Sequence, residues 1–305
     1  MSEATHTLQG VAQNLREDGR ARLDFRHLAL EVGLLPQTSG SARLCSGIDG
    51  TDVLVGVIAV LAVPEPATPD LGRITVSVGG CEAVAAGLPD YAAAGLAVDA
   101  KRVWLEEALA RLYAATSVPE VLHTLCIAPG LQCWELRVCV QLLRADGCPL
   151  DAAALAIRAA LHDTRVPKVS VAASSGADNL APGAPLDLDL DETLDESSPF
   201  DAATLPLYVT LASLDGMLVS DCTAKERRAA GSAISLGLDG QGRVCALCTA
   251  GCYGLPCSEV PAAMDEAQRL CAELHEAASG AILEAARGSE ARGGAAGGAA
   301  VGLLA

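Results

Sequence analysis

Cys245-x2-Cys248-x3-Cys252-x4-Cys257 has the most metal-like spacing in the chain, since four thiolates within reach of one another surround zinc tetrahedrally. Its setting argues against zinc: Cys245 and Cys248 sit in a strand-like run, where an odd offset sends them to opposite faces. Acids concentrate a second time at Asp178, Asp187, Asp189, Asp191, Glu192, Asp195, Glu196 and Asp201. Such carboxylates can bind a divalent cation. Here Leu and Ser separate them, and no Lys or Arg lies between Val169 and Ala224, the pattern of a solvated, self-repelling connector. His6, His27, His123, His162 and His275 are dispersed and form no metal pair on one helix face. A glycine-rich phosphate loop, a Gly-x-Ser-x-Gly elbow and a Walker sequence are all missing, so local motifs support neither nucleotide nor acyl-transfer chemistry. No metal or other cofactor is expected.

The elements that would position these residues alternate between strands and helices. Residues 3–17 read as a polar helix stopped by Asp18-Gly19, and Leu23–Val32 as a strand. Val53–Val63 suits a central strand covered on both faces. Ile74, Val76 and Val78, and Trp134, Leu136, Val138 and Val140, recur with a period of two and should share a sheet. Leu105, Ala108, Leu109 and Leu112, then Leu150, Ala154, Ile157 and Leu161, each make one apolar helical stripe. A second cycle follows, with strands at 205–211, 216–220, 231–238 and 243–249, then a helix bearing Met264, Ala267, Cys271, Leu274 and Ala278. The class is α+β in two halves.

The 305 residues are long enough for one large domain or two ordinary ones, and 51% apolar with 19% charged residues excludes wholesale disorder. Twenty-one Lys and Arg against 38 Asp and Glu give a net charge of −17, a field that repels a phosphate backbone unless cations gather locally. The longest apolar run, Val53–Val63, is too short to cross a bilayer, so no membrane partner is expected. Glu3, Arg16, Glu17, Asp18 and Arg20 break up any apolar leader, so the protein is read as intracellular and its 12 cysteines mainly as free thiols.

Several blocks together carry a resemblance. They are Asn14-Leu15-Arg16-Glu17-Asp18-Gly19-Arg20, Thr38-Ser39-Gly40-Ser41-Ala42-Arg43, Thr51-Asp52-Val53-Leu54-Val55-Gly56-Val57 and Leu125-Cys126-Ile127-Ala128-Pro129 with Cys133-Trp134. Ala159–Pro167 and Asp221-Cys222-Thr223-Ala224-Lys225-Glu226 follow in order. In sequence and spacing the set resembles the RNase PH-like ring subunits of the RNA exosome, over about residues 14–285. The resemblance implies an RNase PH-like fold of two β-α-β-rich halves, the first like domain 2 of ribosomal protein S5. The segments are then an N-terminal helix (1–20), a first half (21–173), an acidic flexible linker (174–202), a second half (203–287) and a disordered Gly/Ala tail (288–305).

Phosphorolytic members of that family hold the attacking phosphate with a Gly-Ser/Thr-Arg stretch at a helix start, where N–H groups and a guanidinium meet the anion. The matching place after Ala145-Asp146-Gly147 reads Cys148-Pro149-Leu150. The family's catalytic Asp, two residues before a Pro, is Thr204 before Pro206 here. Ile48, Asp49 and Gly50 lengthen the loop between Gly47 and Thr51, and Leu112 and Ala115 stand where archaeal relatives place RNA-facing arginines. The resemblance therefore implies a non-catalytic subunit in 3′-to-5′ RNA processing and degradation, including ribosomal RNA maturation. No catalytic residue is assigned. Arg43, Lys101, Arg102 and Arg111 are the candidate contacts to RNA in the channel. The implied partners are other RNase PH-like ring subunits, RNA-binding cap subunits, an associated hydrolytic exoribonuclease and single-stranded RNA; the implied locations are nucleus, nucleolus and cytoplasm. A phosphate-dependent 3′-to-5′ exoribonuclease with an unconventional site and a zinc-binding regulatory module are the alternatives.

Overall fold

In a computed structural model, residues 3–82, 84, 88, 97–171, 188–190, 198–251, 255–290 and 301–303 are described. In chain order the elements are α1 (Glu3–Ala12), β1 (Leu28–Val32), β2 (Gly40–Ser46), β3 (Asp52–Ala62), β4 (Arg73–Gly79), α2 (Val98–Leu112), α3 (Pro119–His123), β5 (Cys126–Ala128) and β6 (Gln132–Arg144). After them come α4 (Pro149–Asp163), β7 (Arg165–Val166), β8 (Val169–Val171), β9 (Leu188–Leu190), β10 (Ser198–Pro199), β11 (Leu207–Leu214) and β12 (Met217–Ser220). The chain ends with α5 (Ala224–Ala229), β13 (Ser232–Leu238), β14 (Val244–Gly251), α6 (Val260–Glu290) and β15 (Val301–Leu303).

The first half builds a sheet in the order β15-β1-β2-β3-β6-β4, with β5 hung on β6. Every pairing is antiparallel except β4 with β6. The second half builds an antiparallel sheet, β12-β11-β13-β14. Between the sheets lies α4, packed on β2 and β3 on one side and β11 on the other. Its run of alanines makes this possible, because a helix of small side chains lets two sheets approach it closely. Residues 152–161 are all buried, including Arg158. Along the same layer α6 covers β11 and β1, and α2 bridges β4 and β14. One continuous apolar core, from Leu30 and Val55 through Ile157 to Leu236 and Leu274, joins the halves. Among the described residues, no helix is long and apolar enough to cross a membrane.

Local chemistry moves several expected boundaries. α1 stops at Ala12 rather than 17; Asn14 takes φ of 55°, and its Oδ1 accepts the Arg22 N–H at 3.0 Å. β1 begins at Leu28 rather than 23, because the backbone before it is drawn to carboxylates: Ala21 N–H donates to Asp24 and Arg26 N–H to Asp221. α5 was not expected. The 174–202 segment carries short strands, β9 on β8 and β10 on β7, while 174–187 and 191–197, with most of the acids, lie outside the described residues. The tail expected to be disordered from Gly288 departs from that reading in two places. α6 continues to Glu290, and Val301–Leu303 pairs with β1, an edge whose unpaired backbone groups accept a strand. Residues 291–300, 304 and 305 lie outside the described residues.

Candidate functional site

The site expected to hold an anion lies at the start of α4. Gly147 has φ of 72°, and a Cβ there would stand 1.6 Å from the Cys222 carbonyl oxygen, so the turn entering the helix is pressed against the second half. Cys148 is the N-cap without a side-chain cap bond, Pro149 brings no N–H, and the Cys148 and Leu150 side chains are buried. Beneath them Asp151 Oδ2 accepts the Thr210 N–H at 2.8 Å and Oδ1 the Thr210 hydroxyl at 2.5 Å. Burial pushes the Asp151 carboxyl up to about 7 against those two donations.

The guanidinium near the helix start comes from Arg26, not from position 150. Its Nη1 lies 2.5 Å from Asp146 Oδ2, its Nη2 2.7 Å from Asp221 Oδ1, and its Nε 3.0 Å from Asp221 Oδ2. Burial alone would raise the Asp221 carboxyl; the bonds and charge of Arg26, helped by Arg20, win and hold it below the ordinary carboxylate value. Asp146 Oδ1 also accepts the Ala224 N–H at 2.7 Å, taking a donor at the start of α5. One layer further, Arg16 forks onto Glu226 at 2.8 and 2.6 Å and donates to the Ser220 and Asp221 carbonyls. Glu226 in turn accepts the Thr223 N–H, closing a capping box. Outside this network lies a cleft of about 410 Å³, lined by five carboxylates (Glu17, Asp18, Asp49, Asp146 and Glu226) against Arg26 and Lys225. The lengthened 47–50 loop forms one wall. Paired guanidiniums and a surplus of acids make a poor seat for phosphate.

The four expected RNA contacts do not form one basic patch. Arg43 on β2 is forked onto Asp52 at 3.0 and 2.8 Å, which raises its pKa. Lys101 is buried and donates to the Leu88 carbonyl at 3.1 Å; Arg102 pairs with Glu106 at 2.9 Å, and Arg111 with Glu107 at 3.2 Å. At about 100° per residue, positions 101, 102 and 111 point away from α2 in three directions. Leu112 is fully buried and its side chain faces Gly237, while Ala115 packs against the core. Thr204 is exposed just before β11. In the cysteine cluster, Cys245 Sγ donates to the Arg243 carbonyl, whereas Cys248, one face over, is buried 3.7 Å from the Tyr208 hydroxyl. Cys252 lies outside the described residues, and among those described no group of three or more His, Cys, Asp or Glu is placed to hold a metal.

Arg16, Arg26, Asp221 and Glu226 are functional-site residues that residue type and spacing alone do not single out. Two signals were present: Thr223-Ala-Lys-Glu226 has capping-box spacing, and the blocks containing Arg16 and Glu226 both belong to the resemblance. Their meeting across 210 positions of chain was not readable from either one.

Known proteins resemble this chain in sequence and in fold. Residues 24–167 match the model of the 3′ exoribonuclease family, domain 1. The chain is 29% identical over 242 residues to the exosome complex component Rrp42 of Pyrococcus abyssi, covering 79% of this chain and 81% of that protein. An archaeal exosome core structure superposes with a TM-score of 0.68 at 24% identity, covering 91% of this chain and 96% of the other. An Archaeoglobus fulgidus exosome structure with RNA bound to the active site superposes with a TM-score of 0.66 at 24% identity, over 90% and 96%.

Proposed function

From the match of residues 24–167 to the model of the 3′ exoribonuclease family, domain 1, and the similarity to Rrp42 exosome components along most of the chain, we propose that it is an RNase PH-like protein that works as a ring subunit of an RNA exosome. It supports 3′-to-5′ RNA processing and degradation by forming part of the wall of an RNA channel with other RNase PH-like subunits. It performs no phosphorolysis itself. The observation that carries this reading is the filled start of α4, where Arg26 is saturated by Asp146 and Asp221 and no free guanidinium or hydroxyl stands at 148–150. A net charge of −17 is compatible with such a role, because the potential of a channel is the sum over its subunits. Cap subunits, an associated hydrolytic exoribonuclease and nuclear, nucleolar and cytoplasmic location belong to the same proposal, as do Arg43, Lys101, Arg102 and Arg111 as channel contacts.

Two measurements test it. The tagged chain should co-purify with other RNase PH-like subunits, and recovery as a lone monomer would overturn the ring assignment. The purified chain, incubated with end-labelled RNA, magnesium and inorganic phosphate, should leave the RNA intact; phosphate-dependent shortening that persists through stringent purification would restore the exoribonuclease reading.

A further inference from the structure

Cys126 and Cys133 stand directly opposite each other in the antiparallel ladder of β5 and β6. The neighbouring bond runs from Trp134 N–H to the Leu125 carbonyl at 2.8 Å, so 125 and 134 are the bonded positions and 126 and 133 the non-bonded pair. At non-bonded positions opposed Cα atoms lie about 4.5 Å apart and the two side chains rise from the same face. A disulfide spans Cα separations of about 4.4–6.8 Å. Both residues are free thiols; Cys126 is half-buried and Cys133 buried. Among the described residues no other cysteine has a cysteine opposite it in the two sheets: Cys45 has Ala29 and Asp52 as its cross-strand neighbours, Cys139 has Gly56 and Ser77, and Cys248 has Ser235.

We propose that Cys126 and Cys133 form a redox modification site, closing to a cross-strand disulfide by exchange with an oxidised low-molecular-weight disulfide such as glutathione disulfide. Cys126, the more accessible, attacks one sulfur of the reagent as its thiolate; the reagent's S–S bond breaks, and one small thiol leaves with the proton Cys126 gave up. The Cys133 thiolate then attacks the Cys126 sulfur of the mixed disulfide and expels the second small thiol. Two protein S–H bonds are replaced by one S–S bond, and one small disulfide is reduced to two thiols. Burial raises both thiol pKa values, so closure quickens in alkaline solution. The clip would tighten a hairpin against which residues 69–72 dock, with Gly130 N–H donating to the Pro69 carbonyl and Gly72 so close that a Cβ there would stand 2.7 Å from the Trp134 carbonyl oxygen. It does not depend on the RNA-processing role.

The test uses the full chain together with whatever subunits co-purify. It is treated natively with glutathione disulfide or dithiothreitol, alkylated with iodoacetamide, and digested with trypsin without reduction. Cys126 and Cys133 are the only cysteines in the tryptic peptide Leu112–Arg137. After oxidation that peptide should appear two hydrogens lighter and unalkylated, and dithiothreitol should return it to the doubly alkylatable form. Exposed Cys139 and Cys257 should instead carry glutathione. In Cys133→Ala, Cys126 should stop at the mixed disulfide. Alkylation of both cysteines once Cys139 is fully modified, separate adducts on each, or an unmodified Cys126 in Cys133→Ala would each overturn the proposal.

Discussion

Replacing Arg26 by Ala removes the cation that closes the start of α4. Its side chain and that of Asp221 are each 11% exposed, and that of Asp146 is 23% exposed. Deleting one partner of a buried ion pair costs about 3–5 kcal/mol, because the remaining charge is stranded. Partial solvent access lowers this to about 2–4 kcal/mol. The pH dependence has a definite sign. Arg26 holds the folded-state Asp221 carboxyl below its ordinary 3.8, so the wild type has this stabilisation above 3.8 and loses it as pH falls through the lower folded value. Arg26→Ala lacks it throughout, so the gap between the two proteins should narrow in acid. Urea unfolding at neutral and acid pH, with midpoints compared at a common slope, measures both quantities. Adding Asp221→Asn to Arg26→Ala should cost less than adding it to the wild type, by a coupling of about 1–3 kcal/mol. A loss under about 0.5 kcal/mol at neutral pH, or additivity in the double variant, would refute the view that this network holds the two halves together here.

Gly147→Ala combines a left-handed backbone with a Cβ 1.6 Å from the Cys222 carbonyl, so it should destabilise by more than about 2 kcal/mol, whereas Gly242→Ala, strained but facing open space, should cost about 1 kcal/mol by the same unfolding assay. His275 is held neutral: burial, then the charge of Arg158, lowers it from 6.5 to about 4, with Nδ1 accepting from Arg158 at 2.7 Å and Nε2 donating to the Leu238 carbonyl at 3.2 Å. Its contribution, about 3 kcal/mol, is fully present above pH 6.5 and is lost as pH falls toward 4; His275→Gln, which keeps both bonds, should flatten that slope, and an unchanged slope would remove His275 as its source. If Arg111 faces RNA in an assembled ring, Arg111→Ala should lower the salt dependence of single-stranded RNA binding by about 0.7 in log–log slope while leaving stability within about 0.5 kcal/mol; an unchanged slope would confine it to its surface pair with Glu107.

A continuous apolar run marked β3, period-two runs marked β4 and β6, and apolar stripes marked α2, α4 and α6, because runs, alternation and helical spacing are local consequences of burial. At the place that the resemblance marks for an anion, Cys148, Pro149 and Leu150 supply neither hydroxyl nor guanidinium, a property of residue type that needs no structure to read. Segment ends were less legible where an edge or a carboxylate far along the chain decided them, as with Val301–Leu303 on β1 and the late start of that strand at Leu28.

Residue types alone therefore determined that this chain has an α+β core and a strong negative charge, and the resemblance directed attention to Cys148-Pro149-Leu150 at the start of α4. Only the tertiary structure decided what fills that place. Arg26, Asp146 and Asp221 come from three separate stretches of chain, and whether a guanidinium is free to hold a ligand depends on the carboxylates within about 3 Å of it, a distance that packing sets and sequence order does not. The same holds for Arg43, whose partner Asp52 is brought to it by strand register, whereas Arg102 and Arg111 meet Glu106 and Glu107 one turn away on the same helix, a pairing that the sequence spacing already contains.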